Sequence, residues 1–300
     1  MSAWRYQLFD VFTDRQFGGN PLAVFLDGTG LTDAKMQKIA RELNLVETTF
    51  VLPPKDPAND HWVRIFTPAV EMPMAGHPTV GTAFALARSA AQPISTLRFE
   101  EAVGVIEVDI DQTDSGPGRI TMQQPLPEFG PLYPDREAIA ALLSLEPTDL
   151  MPDHPCEVVS TGMPFLFVPV ASLSAMKRIT LRMDLFNRFA EAFEVPHFYT
   201  FTMETEQADT DVHSRMFAPA LGVMEDPATG GASGPLGCYL VKHGLVPRSD
   251  SVRLVNEQGL EMGRPSFIHI GIDQRDGAIE RVLVGGQTVF LGEGTLCLED

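Results

Sequence analysis

Arg64-Ile65-Phe66-Thr67-Pro68-Ala69 returns 151 residues later as Arg215-Met216-Phe217-Ala218-Pro219-Ala220, and this doubled R-x-F-x-P-A string decides how the chain is read. The same displacement carries Thr49-Phe50 onto Thr200-Phe201 and sets Glu47 opposite Phe198. A displacement of 150 lays Thr79-Val80-Gly81-Thr82-Ala83 over Thr229-Gly230-Gly231-Ala232-Ser233. More loosely, Asn20-Pro21-Leu22-Ala23-Val24-Phe25 echoes Met163-Pro164-Phe165-Leu166-Phe167-Val168, each an apolar, strand-like run entered through proline. Matches in the same order and at nearly the same shift point to an internal duplication rather than to chance.

Working outward, each half repeats one order of elements. Residues 32–44 carry apolar residues at helical spacing, flanked by Leu31 and Leu45, with Thr32 or Asp33 as the natural cap; residues 184–193 play that part in the second half. Residues 96–101 and 103–110 read as hairpin strands, as do 251–256 and 266–272, followed by strands at 119–123 and 281–284. The pattern predicts an α+β fold of two similar domains, each strand, helix, strand, helix, then strands. The predicted boundaries are 1–124 and 135–300, with the proline-rich stretch 125–134 as linker and the last strand, 289–298, open to either half. Small-molecule sites favour clefts between domains, so the active site is expected there.

Composition narrows the function classes. The chain has 300 residues, 44% of them hydrophobic, enough for two cores. Apolar runs such as 165–170 fall far short of the roughly 20 residues of a membrane span, and the N-terminus lacks the apolar core of a signal peptide. Cys156, Cys238 and Cys297 have no C-x-x-C spacing and suit a reducing compartment, so a cytoplasmic location is expected. A net charge of −18, from 40 acidic and 22 basic residues, disfavours nucleic acid and anionic membrane surfaces as partners. It leaves anionic metabolites open, because a few local amides outweigh a screened field. There is no Walker loop, G-x-G-x-x-G, H-E-x-x-H or G-x-S-x-G, and His61, His154, His213, His243 and His269 lack metal-ligand spacing. No metal and no cofactor are expected.

Two segments stand out for chemistry. Gly76-His77-Pro78-Thr79-Val80-Gly81 and Asp226-Pro227-Ala228-Thr229-Gly230-Gly231 each precede a small-residue, helix-like stretch. Helix N-termini with glycine offer unsatisfied amides to an anion, although Gly and Pro are also ordinary helix-start punctuation. Glu47 lies on the apolar run Leu45-Val46-Glu47-Thr48-Thr49-Phe50-Val51, in one half only. Burial there would raise its pKa from about 4.3 toward the range of a general acid/base; the alternative is an exposed Glu at a strand edge or helix end. His77 reads either as a proton-sharing group or as a hydrogen-bonded structural residue. Asp226, taken as standing opposite His77 in the repeat, reads as a functional acid or as a helix N-terminal charge.

Asp10-Val11-Phe12-Thr13 with Phe17-Gly18-Gly19-Asn20-Pro21-Leu22-Ala23-Val24, then Leu43-Asn44-Leu45-Val46-Glu47-Thr48, Arg64-Ile65-Phe66-Thr67-Pro68, Gly76-His77-Pro78-Thr79 and Glu225-Asp226-Pro227-Ala228-Thr229-Gly230 together resemble the PhzF (phenazine-biosynthesis-like) family, over nearly the whole chain. The resemblance implies a diaminopimelate-epimerase-like fold, with each domain a mixed sheet around a central helix and the active site between domains. It implies a cofactor-independent isomerase that moves a proton between carbons of a small carboxylate-bearing metabolite. The glutamate of that chemistry falls on Glu47, assisted by His77 and Asp226. Substrate-binding positions fall on Asn20, Gly76, Thr79, Gly230, Gly231 and Ser233, and a homodimer is consistent with the family. Racemases of this fold place a cysteine in each half, where this chain has Ala75-Gly76 and Asp226-Pro227, so a two-thiol epimerase is disfavoured. Two departures are visible: Gly231 stands where the family commonly has Ser, and Val46 where Ser often precedes the glutamate. A silent binding protein and a one-carboxylate racemase are the alternatives on the same fold.

Overall fold

Runs rich in Val, Ile, Phe and Thr form strands, and the periodic or small-residue runs form helices, in the computed structural model, which describes residues 2–298. In the first part of the chain these are β1 (Ser2–Val11), β2 (Asn20–Phe25), α1 (Asp33–Leu43), β3 (Glu47–Leu52), β4 (His61–Phe66), β5 (Glu71–Met72), α2 (Gly76–Ser89), β6 (Thr96–Glu101), β7 (Gly104–Thr113) and β8 (Gly116–Gln124). There follow β9 (Glu128–Tyr133), α3 (Arg136–Leu142), β10 (Cys156–Ser160), β11 (Pro164–Pro169), α4 (Leu173–Arg178), α5 (Met183–Ala192), β12 (Phe198–Thr202), β13 (Val212–Ala218), β14 (Val223–Asp226), α6 (Gly230–Lys242), β15 (Ser251–Gln258), β16 (Ser266–Arg275), β17 (Ala278–Gly286) and β18 (Thr288–Leu298). No helix is long and apolar enough to cross a membrane among the described residues.

The chain divides into two compact units, one holding residues up to Gln124 together with those from Leu283 onward, the other Pro125–Val282. The break after Gln124 falls where the prolines begin, but the stretch read as linker is largely strand β9, paired antiparallel with β10. The second unit also stops short of the expected end, because β18 pairs antiparallel with β1 along its length, from Ser2 opposite Leu298 to Val11 opposite Thr288. Each unit thus needs a border strand beside its first long strand, β18 for β1 and β9 for β10. Proline density alone does not reveal that pairing.

Within each unit the same ladder recurs. β1–β2 and β10–β11 are antiparallel, β2–β3 and β11–β12 parallel, and β3–β4 and β12–β13 antiparallel. β4–β6 and β13–β15 are parallel, and β6–β7 and β15–β16 antiparallel. A sheet with parallel centre strands must cover both faces. In the first unit α1 covers one face through Met36, Ile39 and Ala40 packed on Phe25, Phe50 and Phe66. In the second, Phe186 and Phe189 of α5 pack on Phe198 and Phe217. The other faces hold α2 and α6, which are buried almost all round, as their small and apolar composition requires. Close approach needs glycine: a Cβ at Gly81 would lie 2.5 Å from Leu22 Cδ2 and 2.7 Å from Val11 Cγ2, and one at Gly237 2.6 Å from Ile270 Cγ2.

The ladders also correct the register read from the sequence. Arg64 and Arg215 are true counterparts, each clamping one carboxylate with Nε and Nη2: Glu71 at 2.7 and 2.7 Å, Glu225 at 2.7 and 2.9 Å. Arg64 pairs with Phe50 but Arg215 with Thr200, so Thr49 corresponds to Tyr199 and Glu47 to His197, not Phe198. The side chains agree: Thr49 reaches Thr82 of α2 at 2.8 Å, and Tyr199 approaches Ser233 of α6 at 3.3 Å. Phe50 belongs to the α1 layer and Phe201 to the α6 layer, so the Thr-Phe match is one residue out of step, which on a strand exchanges the faces. Farther on, Ile65 pairs with Met72 and Met216 with Asp226, and the helices begin at Gly76 and Gly230. Asp226 is therefore the counterpart of Met72, and His77 that of Gly231. The loop after the doubled string is three residues longer in the second unit, which shifts everything beyond it.

Candidate active site

Three of the expected residues gather at one end of the first unit. Helix α1 is capped by Thr32, whose hydroxyl accepts from Lys35 N, and ends on Asn44 in the left-handed region (φ 52°), where Asn is tolerated. That turn delivers Glu47 to the first position of β3. On the neighbouring parallel strand Leu22 pairs with Glu47, and Asn20, two residues back, opens β2 fully buried. The pleat sends Asn20, Leu22, Glu47 and Thr49 to the face that packs on α2. At the start of α2, Ala75 is extended, no side chain caps the helix, and Pro78 sits in the first turn, where its missing N–H is not needed.

The result is a close approach of two titratable groups. His77 Nε2 lies 3.1 Å from Glu47 Oε2, a contact outside hydrogen-bond geometry, with the side chains 4% and 11% exposed. Burial pushes the His77 imidazole down to about 3, so it is neutral at pH 7. Of the two readings of Glu47, the structure holds the buried one: Glu47 is 9% exposed.

In the second unit Asp226 ends β14 at 5% exposure, and its Oδ2 accepts from Thr229 Oγ1 at 2.5 Å. The turn is fixed from below by Gln258, which the sequence reading missed. Its Nε2 donates to Asp226 O at 2.7 Å and Thr229 Oγ1 at 2.9 Å, while its Oε1 accepts from Thr229 N and Tyr199 OH, both at 3.0 Å. Asn256 extends the network, donating to Tyr199 OH at 2.9 Å and Ser233 Oγ at 3.3 Å. Buried polar networks of this completeness hold one geometry. The signal for Gln258 lay in the ends of β6 and β15, Phe99-Glu100-Glu101 and Asn256-Glu257-Gln258. Glu100 accepts from Lys55 N and Asp56 N, and Glu257 from Glu206 N and Gln207 N, the same backbone clasp in each unit.

The remaining substrate-binding candidates divide. Gly76 and Gly230 open the two helices, with His77 and Gly231 next in line. The hydroxyls of Thr79 and Ser233 turn inward: each donates to the carbonyl four residues back, Ala75 O at 2.7 Å and Thr229 O at 3.0 Å. The Ser233 hydroxyl thus binds its own helix start.

Each unit wraps a mixed sheet around a buried helix, and the first carries an enclosed carboxyl/imidazole pair, Glu47 with His77. Residues 9–294 match the family model for phenazine biosynthesis-like proteins, PhzC-PhzF, and the chain belongs to that family. It is 39% identical to an uncharacterized isomerase of Mesorhizobium japonicum over 99% of both chains. It is 36% identical to the trans-2,3-dihydro-3-hydroxyanthranilate isomerase of Pseudomonas chlororaphis, over 98% of this chain and 99% of that one. Among solved structures, a PhzF family phenazine biosynthesis protein of Bacillus anthracis superposes with a TM-score of 0.90 at 29% identity, covering 99% of this chain and 100% of that one. The fold is the α+β, epimerase-like one expected, and the chain is an enzyme of the isomerase class.

Proposed function

We propose that Glu47, ionised, removes a proton from a carbon beside a carbonyl or double bond of a small carboxylate-bearing metabolite. The acid so formed returns the proton to another carbon, so the double bond migrates and no net proton is taken up. No cofactor takes part in this scheme. The observation that carries it is the Glu47 carboxylate held 3.1 Å from a buried, neutral imidazole. A His77 held neutral down to about pH 3 is a weak proton acceptor, which favours the carboxylate as the base, and its N–H can stabilise charge that develops on the substrate. Asn20 and the first-turn backbone at Gly76 are assigned to substrate binding. In the second unit Asp226, with Gly230 and Gly231, is kept as a candidate functional group, its carboxylate oriented by Thr229.

The name of the Pseudomonas chlororaphis relative supplies the first compound to try, trans-2,3-dihydro-3-hydroxyanthranilate, a small ring bearing a carboxylate. In deuterated water the wild-type protein should wash solvent deuterium into the substrate at carbon, read by mass spectrometry. Glu47→Gln should slow that exchange by about 10²–10⁴-fold, the usual contribution of a positioned acid/base, while binding persists. Wild-type exchange rates in Glu47→Gln would show that another group moves the proton.

A further inference from the structure

One carboxyl outside the Glu47 pair has a proton count that does not close if it is ionised. Glu101, the last residue of β6, is 6% exposed, and its Oε1 lies 2.6 Å from Thr79 Oγ1. The same Thr79 oxygen lies 2.7 Å from Ala75 O. A hydroxyl has one proton, and a carbonyl oxygen only accepts. If Thr79 gave its proton to a Glu101 carboxylate, two lone-pair oxygens would face each other at 2.7 Å across the Ala75 contact. If Glu101 carries the proton, the chain closes: Glu101 donates to Thr79, and Thr79 donates to Ala75 O. Its second oxygen, Oε2, is buried with no hydrogen-bond partner, which the carbonyl oxygen of an acid tolerates far better than a carboxylate.

The second unit provides an internal control. Glu100 and Glu257 occupy one position in the two ladders, so Glu101 corresponds to Gln258. Gln258 is a neutral group that donates, through Nε2, to a threonine hydroxyl at the helix start, Thr229. A protonated Glu is the near isostere of Gln, and Glu101 likewise meets a threonine hydroxyl at the helix start, Thr79, one turn farther along than Thr229.

We propose that Glu101 is a neutral carboxylic acid at pH 7 and acts as a positioning residue, holding through Thr79 the Ala75–Thr79 turn that carries Gly76 and His77. Strand β7 sets Gly104 opposite it, followed on that face by Ile106 and Val108, while Glu107 and Asp109 of β7 stand on the other face. The histidines of the packed elements, His77 of α2 and His61 of β4, are both pushed toward the neutral form by burial, Arg64 of β4 is bound to Asp33 and Glu71, and Arg88 lies in the last turn of α2. Burial, opposed only by the Thr79 contact, pushes Glu101 itself up to about 8. The proposal concerns a proton and a turn, and it stands or falls whether or not His77 meets substrate.

The test is spectroscopic. The infrared difference between wild type and Glu101→Gln at pH 7 should contain the carbonyl stretch of a protonated carboxylic acid, and that band should titrate away near pH 8. In histidine-labelled protein, the His77 ring resonances, assigned with His77→Gln, should shift in wild type as pH passes 8 and stay fixed in Glu101→Gln. Glu101→Ala should displace them already at pH 7, and Glu101→Gln should restore them. Absence of the acid band at pH 7, or His77 resonances that ignore both pH and Glu101→Ala, would overturn the proposal. Should Glu101→Ala fail to fold, the pH shift present in wild type and missing from Glu101→Gln decides the matter. None of these readouts requires turnover of a substrate, so their outcome is separate from the exchange experiment.

Discussion

Raising the pH should loosen the second unit through one buried histidine. His213 on β13 is fully buried, with Nδ1 2.8 Å from Glu257 Oε1 and Nε2 2.9 Å from Glu261 Oε1. Burial works against the imidazolium, but hydrogen bonds to both carboxylates and their charge outweigh it and push His213 up to about 9, from an ordinary 6.5. The folded unit therefore binds this proton more tightly than the unfolded chain. The stabilisation is complete below pH 6.5 and is lost as pH rises through 9. A rise of two and a half units, at about 1.4 kcal/mol each, amounts to a loss of about 3 kcal/mol by pH 9. Native-state hydrogen exchange read by mass spectrometry on peptides from β13 and β15, corrected for the intrinsic pH dependence of exchange, measures the opening free energy of this unit. His213→Gln should be less stable at pH 6.5 by about 3–5 kcal/mol, because two enclosed carboxylates lose their cation. Its opening free energy should also be nearly flat from pH 6.5 to 9. An opening free energy that stays level or rises with pH in wild type, or an unchanged slope in His213→Gln, would refute the assignment of charge to this imidazole.

Two further outcomes follow from packing and from the Asp226 turn. Gly81→Ala places a methyl carbon within 2.5 Å of Leu22 Cδ2, and the overpacking cost of about 1–3 kcal/mol should outweigh the gain of about 1 kcal/mol from helix propensity, lowering the denaturant midpoint. A higher midpoint would mean that β1 and β2 yield to the helix. Gln258→Leu takes a partner from Asp226 O, Thr229 N, Thr229 Oγ1 and Tyr199 OH, of which Thr229 Oγ1 keeps Asp226 Oδ2 and Tyr199 OH keeps Asn256. At about 1–3 kcal/mol for a buried group that loses its bond, a loss of about 2 kcal/mol or more is expected in urea unfolding, and a loss under about 1 kcal/mol would remove Gln258 from its supporting place.

The doubled string at Arg64 and Arg215 was legible because it does a local job in each unit, clamping a glutamate with a guanidinium. So were α1, whose Thr32 cap and Asn44 stop are local signals, and the enclosure of Glu47, whose place on an apolar run is a matter of composition. Register was not legible. Thr49-Phe50 and Thr200-Phe201 look alike in letters, yet Phe50 faces α1 and Phe201 faces α6, because pairing across a ladder, not identity along the chain, fixes the face. The same holds for Asp226 and His77, separated in role by a loop that is longer in one unit. Glu101 and Gln258 escaped notice because each looks like an ordinary polar strand end; only three-dimensional proximity to Thr79 and Thr229 gives them meaning. The linker was misread for a related reason: β9 is defined by its neighbour β10, and its own residues include Pro131.

The bordering of β1 by β18 has a consequence for how the molecule comes into being on the ribosome. The second unit is one uninterrupted segment and can close as soon as it has emerged, whereas the first must hold its opening strand with β2 on one side only until β18 is made. Contacts between segments so distant in sequence form slowly. The half that carries Glu47 and His77 is therefore the later one to mature, and the nascent chain passes through a stage with one finished lobe and one awaiting its hem.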